Sequence, residues 1–293
     1  MCVGIADTPF CSQDVKLYNY YIMNEVDSKS NNWQQALEIF LDKWRGLDYV
    51  EGALVTGSQV VGTATQNSDV DVHIILSPDI DWRERGNELV NDTLIEYFAN
   101  PVFFFQQYLD EDYTNNSKQN ARMFVIGKIL FDKNGEVAKL VSQAKTYMER
   151  EFTKPDDIWT NVAKYAIWDE FDGLEDIYIA KQPTFEHSYY LFLQNLLIKY
   201  AKFMGAEVLA PSKLYKFLSS EDFRLRYKIE QLPDNDFNAQ FLQALQHKSQ
   251  DDMYSSAKAL TQLVLDKMGG FEINGWKLRT PATGESRRMK QMS

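Results

Sequence analysis

Read for the alternation of apolar and polar positions, the chain changes character near residue 152. Asn31 to Trp44 places Trp33, Ala36, Leu37, Ile39, Phe40, Leu41 and Trp44 at the spacing of an amphipathic helix. "YVEGALVTG" reads as a strand that stops at Gly57, and Asp69 to Leu76 reads as a second strand. "DIDWRERGNELVNDTLIEYFAN", opened by Ser77-Pro78-Asp79, has helical periodicity. "PVFFFQQYL" and "RMFVIGKILFD" are the third and fourth strand candidates. Asn134-Gly135 makes a turn and "EVAKLVSQAKTYMEREF" a helix. Before all of these, "VKLYNYYIMNEV" suggests a short helix within a polar opening. The order helix, strand, strand, helix, strand, strand, helix predicts an α/β (α+β) layer structure with a mixed β-sheet.

Beyond that point period-two alternation disappears. "TKPDD", Thr153 to Asp157, is a helix start, and Ile158 to Lys181, Thr184 to Phe203, Lys213 to Leu218 and Phe237 to Met268 read as helices. "FEINGWKLRT" carries Asn274-Gly275 between two short alternating runs, a hairpin signal. Arg287, Arg288 and Lys290 lie in a basic tail. The expected organisation is an α/β domain over 1–152, an all-α domain over 153–270, and a hairpin with a basic tail over 271–293.

Composition narrows the function classes. The chain has 293 residues, enough for two ordinary domains, and 44% hydrophobic against 25% charged residues, as in a soluble globular protein. The formal net charge of -11 opposes phosphate backbones, so nucleic acid is not an expected partner, and a cationic substrate suits it. Cys2 and Cys11 have no metal-ligand spacing and only 3 His are present, which argues against structural zinc and disulfides. The start of the sequence lacks a secretory pattern, and the apolar run Tyr189 to Ile198 is too short to span a bilayer. A cytoplasmic location without a membrane partner is the expectation.

The candidate chemistry lies in "TGSQVVGTATQNSDVDVHIIL", Thr56 to Leu76. On a strand, Asp69 and Asp71 face the same way, roughly 7 Å apart, while Val70 and Val72 face the core. Two ionised carboxylates side by side call for a compensating cation, and Mg²⁺, a hard ion that takes oxygen ligands and substrate phosphates, fits. Gly57-Ser58 closes the preceding strand. Glycine permits close backbone approach, and the amides beyond it together with the Ser58 hydroxyl form a nest for phosphate. Gly62 loosens the following turn. No Gly-Lys-Ser/Thr follows at Walker A spacing.

Gly57, Ser58, ten intervening residues, then Asp69, Val70, Asp71 and Val72 resemble the signature of the DNA polymerase beta-like nucleotidyltransferase superfamily. The bacterial small-molecule, antibiotic-type branch, which also pairs such a domain with a helical one, is the most similar in character. The resemblance covers Asn31 to Glu151. It implies Mg²⁺-dependent transfer of a nucleotidyl group, AMP from ATP or another NTP as donor, to a hydroxyl of a small, cationic, aminoglycoside-like acceptor. Two Mg²⁺ ions would be held by Asp69 and Asp71, with Gly57, Ser58 and Ser68 binding the nucleotide. A homodimer is expected by analogy alone.

The same resemblance calls for a third carboxylate on a later strand. "PVFFFQQYL" offers Gln106 and Gln107 instead, and the nearest acids are Asp110, Glu111 and Asp112. The alternative source is the helical domain, where Asp169, Asp172 and Asp176 share one helix face beside Glu175; an ordinary solvated face is the plainer reading there. His73 shares the face of the aspartates and is expected as a hydrogen-bonded residue of the sheet. Arg122 and Lys128, on the fourth strand, are candidates for phosphate contact or for surface pairing. Two further functions stay open: protein-directed transfer, and a non-catalytic nucleotide-binding protein of the same fold.

Overall fold

The computed structural model describes residues 32–279. The candidate helix at "VKLYNYYIMNEV", both cysteines and the basic tail lie outside the described residues. The described residues form two compact units, one comprising those up to Leu109 together with Asn120–Thr146, the other Asp110–Gln119 together with the described residues from Tyr147 onward.

The first unit opens with helix α1 (Asn32–Arg45) and strand β1 (Val50–Thr56). A single helical turn, α2 (Ser58–Val61), leads to β2 (Val70–Leu76), and β3 (Glu84–Val90) and β4 (Thr93–Pro101) follow. After α3 (Val102–Thr114) and α4 (Gln119–Ile126) come β5 (Lys128–Asp132) and α5 (Glu136–Glu149). The strands form one five-stranded sheet in the order β3-β4-β2-β1-β5. Only β2 and β4 are parallel; the other pairings are antiparallel, so the sheet is mixed.

Alternation along the strands sorts side chains onto two faces. Val70, Val72, Ile74 and Leu76 of β2, with Ile95 and Ala99 of β4 and Ala53 and Val55 of β1, pack against Ala36, Leu37, Phe40 and Leu41 of α1. All of these are almost wholly buried, so the i, i+3, i+4 stripe of α1 finds the apolar face that the strand pattern offers. The other face carries Leu54, His73 and Phe98, with His73 lying between the rings of Phe98 and Phe124. Phe105 and Leu109 of α3 and Phe124 of α4 are buried within the same unit.

Three expectations for this unit are corrected. Residues 79–100 form no helix: Asn91 and Asp92 take left-handed φ values of 47° and 60° and turn β3 back onto β4. That geometry is the hairpin turn that Asn and Asp tolerate. β3 is an edge strand with mostly polar, exposed residues, which blurs its period of two. "PVFFFQQYL" is helical beyond Pro101, because Phe105 and Leu109, four apart, bury one face and outweigh the strand preference of a Val-Phe run. "RMFVIGKILFD" is split into α4 and β5 on either side of Gly127.

The second unit is helical. It contains α6 (Asp157–Ile179), α7 (Phe185–Met204), α8 (Pro211–Ser219), α9 (Glu221–Tyr227), α10 (Asn235–Ala244) and α11 (Gln250–Lys267). Side-chain caps mark the starts: Asp156, Ser220, Asp234 and Ser249 accept from the backbone N–H of Trp159, Phe223, Phe237 and Asp252. Gly205 closes α7 in the left-handed conformation. α6, α7 and α11 pack pairwise around a core that includes Phe185, Tyr189, Phe192, Leu196 and Tyr200. The expected single helix from Phe237 to Met268 is interrupted before Ser249, whose hydroxyl caps a new start, and α9 is a helix the periodicity did not reveal. Asn274-Gly275 does turn, with Trp276 N–H donating to the Ile273 carbonyl at 3.0 Å. Among the described residues no strand flanks that turn, so the expected hairpin is absent there. No described helix is long and apolar enough to cross a membrane.

Candidate metal and nucleotide site

The register of the sheet explains how acids from separate segments meet. Asp71 on β2 pairs with Glu96 on the parallel strand β4, and on its other side with Thr56 at the end of β1. Asp69 stands one residue before β2 begins. One carboxylate oxygen from each of Asp69, Asp71 and Glu96 lies within 4.8 Å of the others. Ligand oxygens around a single Mg²⁺ at its ordinary bond length sit roughly 3–4 Å apart, so closure by about 1–2 Å lets this set share an ion. All three are partly exposed.

Glu96 supplies the third carboxylate that the sequence left without an owner. Asp110 and Asp112 lie instead on α3, where Asp110 accepts from the Tyr147 hydroxyl and the Asp112 carbonyl accepts from Ser117 N–H at 2.8 Å. Asp169 and Asp172 lie exposed on α6, and Asp169 accepts from the Tyr165 hydroxyl at 3.4 Å. None of the four belongs to the three-carboxylate group. The signal for Glu96 was present: in "TLIEYFAN", Ile95, Tyr97 and Ala99 alternate with Leu94, Glu96 and Phe98, directly after an Asn-Asp turn.

Three like charges in one place need relief when no ion is bound. Arg85, the β3 neighbour of Phe98, provides it: both its Nε and its Nη2 donate to Glu96 Oε1, at 3.2 and 2.6 Å. Its guanidinium also lies over the Phe98 ring, 4.9 Å from the centroid.

Gly57 brings the backbone against this group. Its φ of 81° and ψ of -164° belong to a region open essentially to glycine alone, and a Cβ there would fall 1.9 Å from Asp71 Oδ2. The Gly57 carbonyl accepts from Val60 and Val61 N–H, which makes the α2 turn and places Ser58 at its first position. Ser68 has a structural role in the loop that follows. Its hydroxyl accepts from Thr65 N–H at 2.8 Å and its own N–H donates to the Thr65 carbonyl, shaping the approach to Asp69. The Thr56 hydroxyl donates to the Met123 carbonyl at 2.9 Å and ties the end of β1 to α4.

His73 departs from expectation. It is buried between aromatic rings, and its Nε2 has no hydrogen-bond partner. Burial holds its pKa down at about 4, so it is a neutral, apolar-packed imidazole. Arg122 is buried on α4 rather than set on a strand, and Lys128 is exposed at the start of β5.

No curated protein matches the chain. Among solved structures, a nucleotidyltransferase-like protein from Exiguobacterium sibiricum 255-15 is similar at 13% identity, covering 80% of this chain and 74% of that one with a TM-score of 0.43. Residues 34–161, which hold most of α1, all five strands and the Asp69–Asp71–Glu96 group, match the family model of the nucleotidyltransferase domain.

Proposed function

We propose that this protein transfers a nucleotidyl group, AMP from ATP, to a hydroxyl of a small cationic acceptor in a Mg²⁺-dependent reaction. The observation that carries this reading is the convergence of Asp69, Asp71 and Glu96 beside the Gly57–Ser58 corner. In this reading the three carboxylates hold the divalent ions, and Glu96 completes the ligand set. A bound ion of this kind supplies charge neutralisation for the triphosphate and its departing pyrophosphate. The Ser58 hydroxyl and the amides of Ser58 and Gln59, which open the α2 turn, hold the phosphate tail, and Gly57 keeps the backbone close enough to Asp71 for tail and carboxylates to be adjacent. One oxygen–phosphorus bond forms at the acceptor hydroxyl as the bond to pyrophosphate breaks, so positioning and electrostatics supply most of the acceleration.

A cationic acceptor is supported by the net charge of -11. A catalytic reading is favoured over a purely nucleotide-binding one because Glu96 fills the place whose emptiness motivated the latter. The test is pyrophosphate release from ATP with Mg²⁺ and a panel of hydroxylated amines, aminoglycosides among them. Release should require acceptor and metal, and should vanish in Asp69→Asn, Asp71→Asn and Glu96→Gln. Equal release by wild type and these three variants refutes the proposal.

A further inference from the structure

On the opposite side of the sheet from the carboxylates lies a concavity. Glu96 and Tyr97 are adjacent on β4, so their side chains leave the sheet in opposite directions. Tyr97 enters a pocket of about 270 Å³ with Trp44, Tyr49 and Trp82, rimmed by Glu84 and Glu88. The rings form two walls. In one, Tyr97 meets Trp44 at 5.6 Å and Phe40 at 5.3 Å between centroids; in the other, Tyr49 meets Trp82 edge-on at 5.7 Å.

This composition is specific in its electrostatics. The faces of Trp and Tyr rings are negative and attract cations, most strongly those that shed water readily. Two carboxylates at the rim add long-range attraction. Lys43, on α1, also lines the pocket and its ammonium pairs with Glu88, which leaves Glu84 as the carboxylate that faces a ligand. Tyr97 donates its hydroxyl to Glu84 at 2.5 Å and, held by that bond, stays un-ionised to about pH 12. Glu84 is therefore oriented and keeps an oxygen available for a ligand.

Size and charge exclude the nucleotide as occupant. The volume sits below the usual range for small-molecule sites, about 300–1,000 Å³, and the two acids repel phosphate. We infer that this aromatic pocket binds a small alkylated ammonium ion of the trimethylammonium type, at a site separate from the proposed transfer chemistry. The alkyl groups would lie on the rings of Trp44, Tyr49, Trp82 and Tyr97, with the charge balanced by Glu84, since Glu88 is paired with Lys43.

The inference does not depend on the proposed reaction, and its test uses no turnover. Calorimetric titration of the full-length protein compares choline with 3,3-dimethylbutan-1-ol, its uncharged carbon counterpart. Choline should bind and the alcohol should not. Trp82→Ala, at an exposed ring, should weaken choline by about fivefold or more, the scale of one lost cation–π contact. Glu84→Gln, on the exposed edge strand, gives a second reading with little risk to folding and should weaken it severalfold. Equal binding of choline and the alcohol would make this an ordinary apolar pocket and overturn the inference. So would absence of choline binding, or affinities unchanged in both folded variants.

Discussion

The two faces of strand β2 are written in the same seven residues and do opposite work. Val70, Val72, Ile74 and Leu76 are fully buried against the rest of the α1 core, while Asp71 remains accessible and His73 lies beneath the aromatic layer. On the first face packing density sets the energy, and each methyl group counts. On the second, a carboxylate and an unpaired imidazole are retained at a cost in solvation. Residues that lower stability without a packing gain are where a reaction or a ligand explains the sequence. Here they fall two residues apart on one face, at Asp71–Glu96 and at His73–Phe98.

The largest expected effect tests the polar face alone. Asp71→Asn should lower nucleotidyl transfer on the order of a thousandfold, with the urea midpoint unchanged or raised, since it removes one of three like charges. A marked loss of stability would show Asp71 to be structural. Gly57→Ala attacks the same carboxylate through the backbone. It should cost about 1–3 kcal/mol and reduce transfer as Asp71 is displaced, as measured by melting and by steady-state rates.

His73 sharpens the comparison through pH. Its folded pKa of about 4 lies below the ordinary value of 6.5, so the unfolded chain takes up the proton first. Stability from this residue is therefore complete above pH 6.5, falls as pH drops through that value, and levels off near 4. The expected loss is about 3 kcal/mol. Urea titrations in His73→Leu should lack this one-proton slope between pH 6.5 and 4.

On the apolar face, Val72→Ala should cost about 2 kcal/mol by leaving a cavity under α1, with the rate constant of transfer unaltered at a temperature where the variant is folded. The smallest effect belongs to Arg85. Its side chain is mostly exposed, so Arg85→Ala should change stability by less than about 1 kcal/mol despite the bond to Glu96. A larger loss would mean that the acid cluster depends on this cation to fold.

How much of this was legible beforehand depended on how local each signal is. α1, β1 and β2 stand where the pattern placed them, because their periodicity and burial agree residue by residue. Gly57, Asp69 and Asp71 were visible because the spacing that makes a turn and a strand end is short-range. Glu96 was not, because the 77–100 segment mixes polar edge-strand residues with an apparent helical period. The α3 segment misled for the converse reason, its Val-Phe run having strand propensity that burial of Phe105 and Leu109 overrides.

The sequence by itself determined the elements whose apolar stripe matches one period, and the Gly-Ser and Asp-Val-Asp pieces that any fold of this chain must accommodate. Only the tertiary structure decided that β4 runs parallel to β2 in the register that sets Glu96 beside Asp71. It also set Tyr97, one residue further, into an aromatic pocket on the other side. The reason is physical: periodicity reports which way a side chain points relative to its own segment, whereas strand pairing, fixed by hydrogen bonds and core packing between distant segments, decides whose side chain it meets.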